Sequence, residues 1–300
     1  VLEISAMKKE TCNQLAICAA ALMCFIFLGF QSRRDETKTV NLSDAIRQKL
    51  VTANFTATGK YSGYSVTCKL SNLTAAPIHI RIPAGTFFTT ADEDEQSLLV
   101  PQERMIVLSP KAGNEQIVDG FCTEASDRCP SAGGKLTLAT ANIPKLQGLT
   151  DFLKTKKYPT HVLQDAIWTL TDKHPVSNIY AEDMASVQDL RKTLCQLTGQ
   201  KDTWYSSPQQ RTVDESGNIQ HETVAIDGKI SFTCNKGAKV HEEVHNASGK
   251  VMFKMDNTSI VHSGNVDFEF KIRVTGWEKG AYSVKVMEGT KVLTTYTFAV

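Results

Sequence analysis

The sequence predicts a mainly β protein: an N-terminal β-sandwich carrying a helical insert, followed by a C-terminal immunoglobulin-like β-sandwich. Three observations predict it. Residues 51–122 alternate apolar and polar with period two, residues 148–203 switch to helical spacing, and residues 205–300 return to alternation between turn residues.

In the first β region, Val66, Cys68 and Leu70 alternate with Thr67, Lys69 and Ser71. A turn at Ala75-Ala76-Pro77 leads to Ile78, Ile80 and Ile82, which alternate with His79 and Arg81. Such alternation marks half-buried antiparallel strands. Residues 98–100, 105–108 and 117–122 continue it, and Lys111-Ala112-Gly113-Asn114 predicts a hairpin turn between the last two. The helical stretch holds two helices. One is capped by Thr160 and runs to about Thr171, with Leu163, Ile167 and Leu170 on its buried stripe and Gln164 and Trp168 on an adjoining face. The other runs over 181–198, with Met184, Val187, Leu190, Leu194 and Leu197 as its apolar face and Gly199 as its stop. In the last region, Ile230, Phe232 and Cys234 form one alternating set. Others are Val266 to Val274, Tyr282 to Val286, and Val292, Thr294, Tyr296, Phe298 and Val300. Turns spaced ~8–12 residues apart fit an immunoglobulin-like sandwich. The expected division is 1–32 signal peptide or anchor, 33–50 linker or leading strand, 51–147 β-sandwich, 148–203 helical segment packed on it, and 204–300 Ig-like sandwich.

Lys plus Arg is 33 and Asp plus Glu is 32, a net charge of +1. That balance gives no field for nucleic acid, and the only membrane contact expected is through the N-terminal segment. Met7-Lys8-Lys9 is a basic start, and residues 15–30 carry no charge. Sixteen residues is short of the roughly 20 a spanning helix needs and suits a signal sequence. Phe30-Gln31-Ser32 lacks a small-x-small cleavage pattern, so cleaved signal, retained anchor and buried helix all stay open. The expected location is the periplasm, the cell surface or the medium.

Beyond residue 32 the cysteines are Cys68, Cys122, Cys129, Cys195 and Cys234, an odd number. Cys122 and Cys129 bracket six residues, which makes them a disulfide candidate in an oxidising compartment. No metal site is expected. His241-Glu242-Glu243-Val244-His245 matches the zincin pattern but sits in a strand context, where i and i+4 lie roughly 13 Å apart. An exposed strand face is expected there. Asp92-Glu93-Asp94-Glu95 lacks the spacing of a calcium loop, and His174 reads as a helix C-terminal histidine. Asn54, Asn72, Asn246 and Asn257 fit the Asn-x-Ser/Thr pattern.

Two segments carry resemblances. Gly120-Phe121-Cys122-Thr123-Glu124, followed by Leu163-Gln164-Asp165-Ala166-Ile167-Trp168, resembles the paired signatures of bacterial surface thioester domains. The resemblance implies that the Cys122 sulfur and the Gln164 side chain join as an internal thioester, which an amine opens to leave the protein covalently attached. Phe121 and Trp168 would shield the bond. The Cys-to-Gln separation of 42 positions is shorter than expected for that family. A looser likeness, through Ile82-Pro83-Ala84-Gly85-Thr86 and the same Cys and Gln segments, is to a group of exported bacterial proteins. The second segment, 251–300 with Gly280-Ala281-Tyr282-Ser283-Val284, resembles the Ig-like modules of flagellar hook-cap proteins and the sorting domains of type IX secretion cargo.

No P-loop, Gly-x-Ser-x-Gly or dinucleotide glycine pattern occurs, and no nucleophile–base–orienter set can be assembled. The expectation is therefore no enzyme and no cofactor. The chain should bind or adhere to a protein or glycan surface ligand without turnover, or act as a covalent adhesin through Cys122 and Gln164.

Overall fold

The computed structural model describes residues 38–214 and 218–300, and over them the chain is mainly β. The expected signal segment lies outside the described residues. Of the 33–50 stretch, the described part forms strand β1 (Lys38–Asn41) and helix α1 (Leu42–Arg47). Val40, Leu42 and Ala45 are buried, so this part is core rather than a free linker. Leu42 and Ala45, at i and i+3, share a helix face too short to register as periodicity.

Eight strands follow: β2 (Val51–Ala57), β3 (Ser62–Asn72), β4 (Ile78–Ile82), β5 (Thr86–Thr89), β6 (Leu98–Val100), β7 (Arg104–Leu108), β8 (Gly113–Cys122) and β9 (Lys135–Ala139). Six of them close into a barrel in the order β2-β3-β8-β6-β5-β9, which leaves no open sheet edge. The other two join β1 in a three-stranded sheet, β1-β4-β7, and the alternating isoleucines of β4 share one core with Val66, Cys68 and Leu70 of β3.

The hairpin expected at 111–114 is not one. β7 pairs with β4, whereas β8 pairs with β3 and β6, so the turn carries the chain from one sheet to the other. Asn72 holds that corner. Its amide nitrogen donates to Ala76 O at 2.9 Å and Ser109 O at 3.0 Å, and its oxygen accepts from Thr74 N at 2.8 Å. A buried asparagine with these bonds made is not a glycosylation acceptor.

Three helices pack on the barrel: α2 (Leu146–Leu153), α3 (Thr160–Thr171) and α4 (Gln188–Thr198). Helix α3 ends at Thr171 as expected, but Thr160 is its first residue rather than its cap, a position taken by Pro159 with no side-chain cap bond. The helix expected from 181 begins instead as a 3-10 turn, Met184–Val187, capped by Asp183, whose Oδ1 accepts from Ala185 N. A polar side chain closing a turn on its own backbone competes with an α-helical start. Gly199, at φ +79°, ends α4 as expected. Leu99 and Phe121 of the barrel sit in the same apolar cluster as Leu149, Val162, Ile167, Leu190 and Leu194.

The rest of the chain comprises β10 (Tyr205–Ser206), β11 (Gln209–Val213), β12 (Ile219–Thr223), β13 (Ala225–Cys234), β14 (Lys239–Asn246), β15 (Val251–Lys254), β16 (Thr258–Ser259), β17 (Gly264–Arg273), β18 (Ala281–Glu288) and β19 (Lys291–Ala299). One sheet is β10-β13-β17. The other is β15-β14-β18-β19, with β16 on β14. Ile226, Ile230, Phe270 and Ile272 face Val240, Val244, Val284, Val286 and Phe298 in a single sandwich core. Tyr282 stacks on Phe298 and donates its hydroxyl to Glu278 O at 2.8 Å, a tie from strand to upstream backbone common in such sandwiches. Val292 does not follow the alternation read from the sequence. A bulge between Val286 and Met287 inserts one residue opposite them, so Val292 is exposed and Leu293 packs on the core. Strands β11 and β12 pair only with each other and form a separate hairpin.

Candidate functional site

Cys122 ends β8 at the barrel rim. Its neighbours are Leu98 across the ladder and Tyr61, whose carbonyl accepts from Cys122 N at 2.9 Å. The side chain is wholly buried. Gln164 lies in the first half of α3, which Ala166 and Ile167 anchor to the helical core. Its Nε2 donates to the Cys122 carbonyl at 2.8 Å, and it is 1% exposed. Two residues 42 positions apart are thus joined through the glutamine amide and the cysteine backbone carbonyl. Gln164 Oε1 has no hydrogen-bond partner. Phe121 belongs to the helical core, and Trp168 to the barrel core.

Cys129 is half-buried, its thiol directed at Gly59 O at 3.5 Å. The five cysteines of the described residues are unbridged. Burial pushes the Cys122 thiol well above the ordinary range, and the nearness of Cys129 adds to it.

The space over Gln164 is a cavity of about 130 Å³, with Tyr61, Asp165, Trp168, Tyr180, Arg211 and His221 among its walls. Its roof comes from β11 and β12. His221 Nε2 faces Ala125 O at 3.1 Å, and because a carbonyl only accepts, Nε2 carries the hydrogen. The His221 ring meets Trp168 edge-on at 5.1 Å and His174 at 5.3 Å. Tyr61 stacks on Trp168 at 6.1 Å, and the Arg211 guanidinium lies 5.9 Å from the Tyr61 ring centre.

Burial shifts the ionisable groups around the site. Burial lifts the Asp165 carboxyl to about 7. Burial, with His221 beside it, lowers His174 to about 4, so the ring is neutral at pH 7. This corrects the expectation that the helix dipole favours a charged His174. Nor does Asp172 pair with it, since its Oδ2 accepts from Ala125 N at 3.0 Å.

The Asp165 shift has a measurable consequence. A carboxyl raised from 3.8 in the unfolded chain to about 7 in the fold favours the folded state when protonated. The folded chain holds the extra proton between those values, so this contribution is full below pH 4 and is lost as pH rises through 7. Asp165→Asn should therefore be more stable than wild type at pH 8, by on the order of 3 kcal/mol, and equal to it below pH 4. Urea unfolding at the two pH values checks this. A constant difference would show that Asp165 is not held protonated. His174 runs the other way, its contribution being lost as pH falls from 6.5 through 4.

The zincin-like pattern lies on β14, a strand as expected, but its face is not exposed. His241 and His245 are 5% and 9% exposed. Their Nε2 atoms each sit 3.2 Å from one oxygen of Glu243, and Lys254 Nζ lies 2.9 Å from the first of these. Glu243 thus gathers three side chains on one strand face, because i, i+2 and i+4 point the same way. Among the described residues no group of His, Cys, Asp or Glu is placed to hold a metal ion. The acidic run at 92–95 is engaged by protein. Arg128 lies within 3.6 Å of Asp92 and 3.9 Å of Asp94, and Glu95 accepts from Ser131.

Sequence reading found Cys122, Gln164 and Trp168 but missed Tyr61, Asp165, Arg211 and His221. The signal for the last two is weak. Residues 209–223 lack an apolar face, so alternation alone does not reveal a hairpin there.

No family model matches the chain, and no curated protein matches it. Some solved structures share loose likeness. One is DesR, a β-glucosidase from Streptomyces venezuelae in complex with D-glucose, at 8% identity and TM-score 0.18, covering 83% of this chain and 47% of that one. The chain thus spans about half the length of that enzyme. Another is the MHC-like protein MILL2, at 8% identity and TM-score 0.17, with coverages of 79% and 67%. A third holds the CBM51-2 and INT domains of ZmpB from Clostridium perfringens, at 11% identity and TM-score 0.19, with coverages of 83% and 80%. At these scores nothing about this chain follows from the likeness.

Proposed function

We propose that this chain is an exported surface-binding protein that captures amine-bearing partners on a protein or glycan surface through an internal Cys122–Gln164 thioester, without turnover. The observation that carries the reading is the 2.8 Å bond from the Gln164 carboxamide to the Cys122 backbone, in a water-excluded site beneath a small cavity. No helix among the described residues is long and apolar enough to cross a membrane, and attachment through the N-terminal segment belongs to the proposal.

The chemistry balances simply. The Cys122 sulfur attacks Gln164 Cδ, the C–N bond breaks, and ammonia leaves with the thiol proton. A primary amine then attacks the same carbon, the C–S bond breaks, and the sulfur takes a proton from the amine. Burial serves both steps, since it holds the partners together and keeps out water that would hydrolyse the ester. A thiol this hard to ionise is a poor leaving group unless it is protonated on departure. The raised Asp165 carboxyl on the cavity wall supports that step as the local proton source.

A second reading, non-covalent adhesion with Cys122 in a disulfide, is favoured by Cys129 lying close enough to perturb the Cys122 thiol. Intact mass separates the two. The thioester removes about 17 Da, and methylamine adds to it. A disulfide removes about 2 Da, which reductant restores. A chain of full mass with no methylamine adduct would end the thioester reading and leave the non-covalent one.

A further inference from the structure

Capture at this site meets a barrier of access. Cys122 is wholly buried and Gln164 is 1% exposed. The Gln164 carboxamide oxygen is closed even to water. An attacking amine is at least as large as a water molecule, and it must reach the carbon that bears this oxygen. The closed arrangement therefore holds the reacting pair but does not admit a partner, and part of the cover has to move. The walls differ in how easily they can. Helix α3 is anchored by Val162, Ala166 and Ile167 in the helical core, and Trp168 packs with Cys122 in the barrel core. Displacing either would expose apolar core to water. Strands β11 and β12 are held differently. They pair only with each other, none of their residues is buried, and none belongs to an apolar core of the described residues. Yet Gln209, Arg211 and His221 line the cavity over Gln164.

Side-chain contacts hold this hairpin against the rim. His221 Nε2 donates to Ala125 O at 3.1 Å, its ring meets Trp168 and His174, and the Arg211 guanidinium lies over Tyr61. Glu222 Oε1 accepts from Gly276 N at 2.6 Å on the side of the C-terminal sandwich. Elements with few buried apolar contacts open locally at a fraction of the cost of global unfolding. The base of the hairpin is fixed. Ser207 N donates to Ser177 O at 2.7 Å, Val274 N to Val224 O at 3.0 Å, and Val224 N to Pro208 O at 3.0 Å. Those bonds leave Pro208 and Val224 as the pivot. Building on the thioester reading, we propose that the β11–β12 hairpin is a lid. It lifts off the barrel rim to admit the partner's amine to Gln164, and when closed it keeps water from the thioester. The C-terminal half of the chain thus controls when a site built by the barrel and helices reacts.

The test follows methylamine capture and hydrolysis on the intact chain by mass spectrometry. Capture replaces the deficit of about 17 Da with an amine adduct, whereas hydrolysis leaves a carboxylate at Gln164 and a chain about 1 Da above its sequence mass. Two variants loosen the lid. His221→Ala removes the bond to Ala125 and the ring contacts. The second replaces residues 209–223 with Gly-Gly, a short turn that the Pro208–Val224 bond allows. His221→Ala should speed capture and hydrolysis by the same factor, about tenfold for one lost hydrogen bond and its packing, because both pass through one open state. The deletion should exceed this, and a deletion chain recovered already hydrolysed meets the same expectation. Capture at the wild-type rate in both variants overturns the proposal. Slower capture overturns it too, because the hairpin would then belong to the reacting site, and so does faster capture without faster hydrolysis. Cys68, buried in the barrel core, should stay closed to N-ethylmaleimide in each variant, which separates lid opening from unfolding. If it is labelled in the deletion, His221→Ala decides alone. Wild type that takes up methylamine at a rate neither variant changes ends only the lid. Wild type that takes up no amine and lacks no ammonia ends the thioester reading, and this inference with it.

Discussion

Cys122→Ala is expected to abolish amine capture and restore the full sequence mass, an all-or-none change readable on a single intact-mass spectrum. The proposed bond needs both partners, so Gln164→Ala should do the same. Cys129→Ala should leave both the missing ammonia and the capture in place. That contrast matters because the disulfide reading predicts the reverse, with Cys129→Ala and Cys122→Ala each removing the deficit of about 2 Da. The Cys122 side chain is small and its site is wholly buried, so loss of the sulfur should cost on the order of 1 kcal/mol and leave a folded chain. A cooperative melt of Cys122→Ala near the wild-type temperature establishes that loss of capture is chemical. If Cys129→Ala abolishes capture while Cys122→Ala retains it, the assignment of sulfur is wrong.

The second large effect is expected at Arg191. It stands on α4 and is 2% exposed, the largest fully buried side chain among the described residues. Nε reaches Asp202 Oδ1 at 2.9 Å, Nη1 reaches Ser206 Oγ at 2.8 Å, and Nη2 reaches Thr203 Oγ1 at 3.0 Å and Tyr205 O at 3.1 Å. One guanidinium therefore ties the helical segment to the first strand of the C-terminal sandwich. Arg191→Ala leaves a cavity and strands buried acceptors, at a cost of about 3 kcal/mol. Partial exposure of the Asp202 carboxylate, 31%, keeps the figure at the lower end of the range for broken buried pairs. Arg191→Lys should recover little, because an ammonium cannot make the planar fork. Urea midpoints of the two variants check this. A change under about 1 kcal/mol for Arg191→Ala would mean that the network contributes geometry without stability.

Much of the architecture is legible in the sequence because burial and periodicity are local. The isoleucines at 78, 80 and 82 and the set Tyr282, Val284 and Val286 are inward where alternation puts them. The α3 end at Thr171 follows from its stripe, and Gly199 stops α4 because an αL residue there suits glycine. Cys122 and Gln164 were singled out by the resemblance of two short segments to the signatures of bacterial surface thioester domains.

What it could not supply is pairing between strands. Alternation says which face of a strand is buried but not which neighbour it bonds. The closed barrel, the passage of 109–112 from sheet to sheet and the bulge that turns Leu293 inward therefore emerge only in three dimensions. The zincin-like histidines show the same limit, since strand context was readable but the burial of both rings around Glu243 was not. The site divides along this line. Cys122 and Gln164 are determined by sequence, whereas Arg211 and His221 join them only because a polar hairpin folds back over the barrel rim. Hydrogen bonds and ring contacts hold that hairpin, and such contacts leave no periodic trace in the chain that makes them.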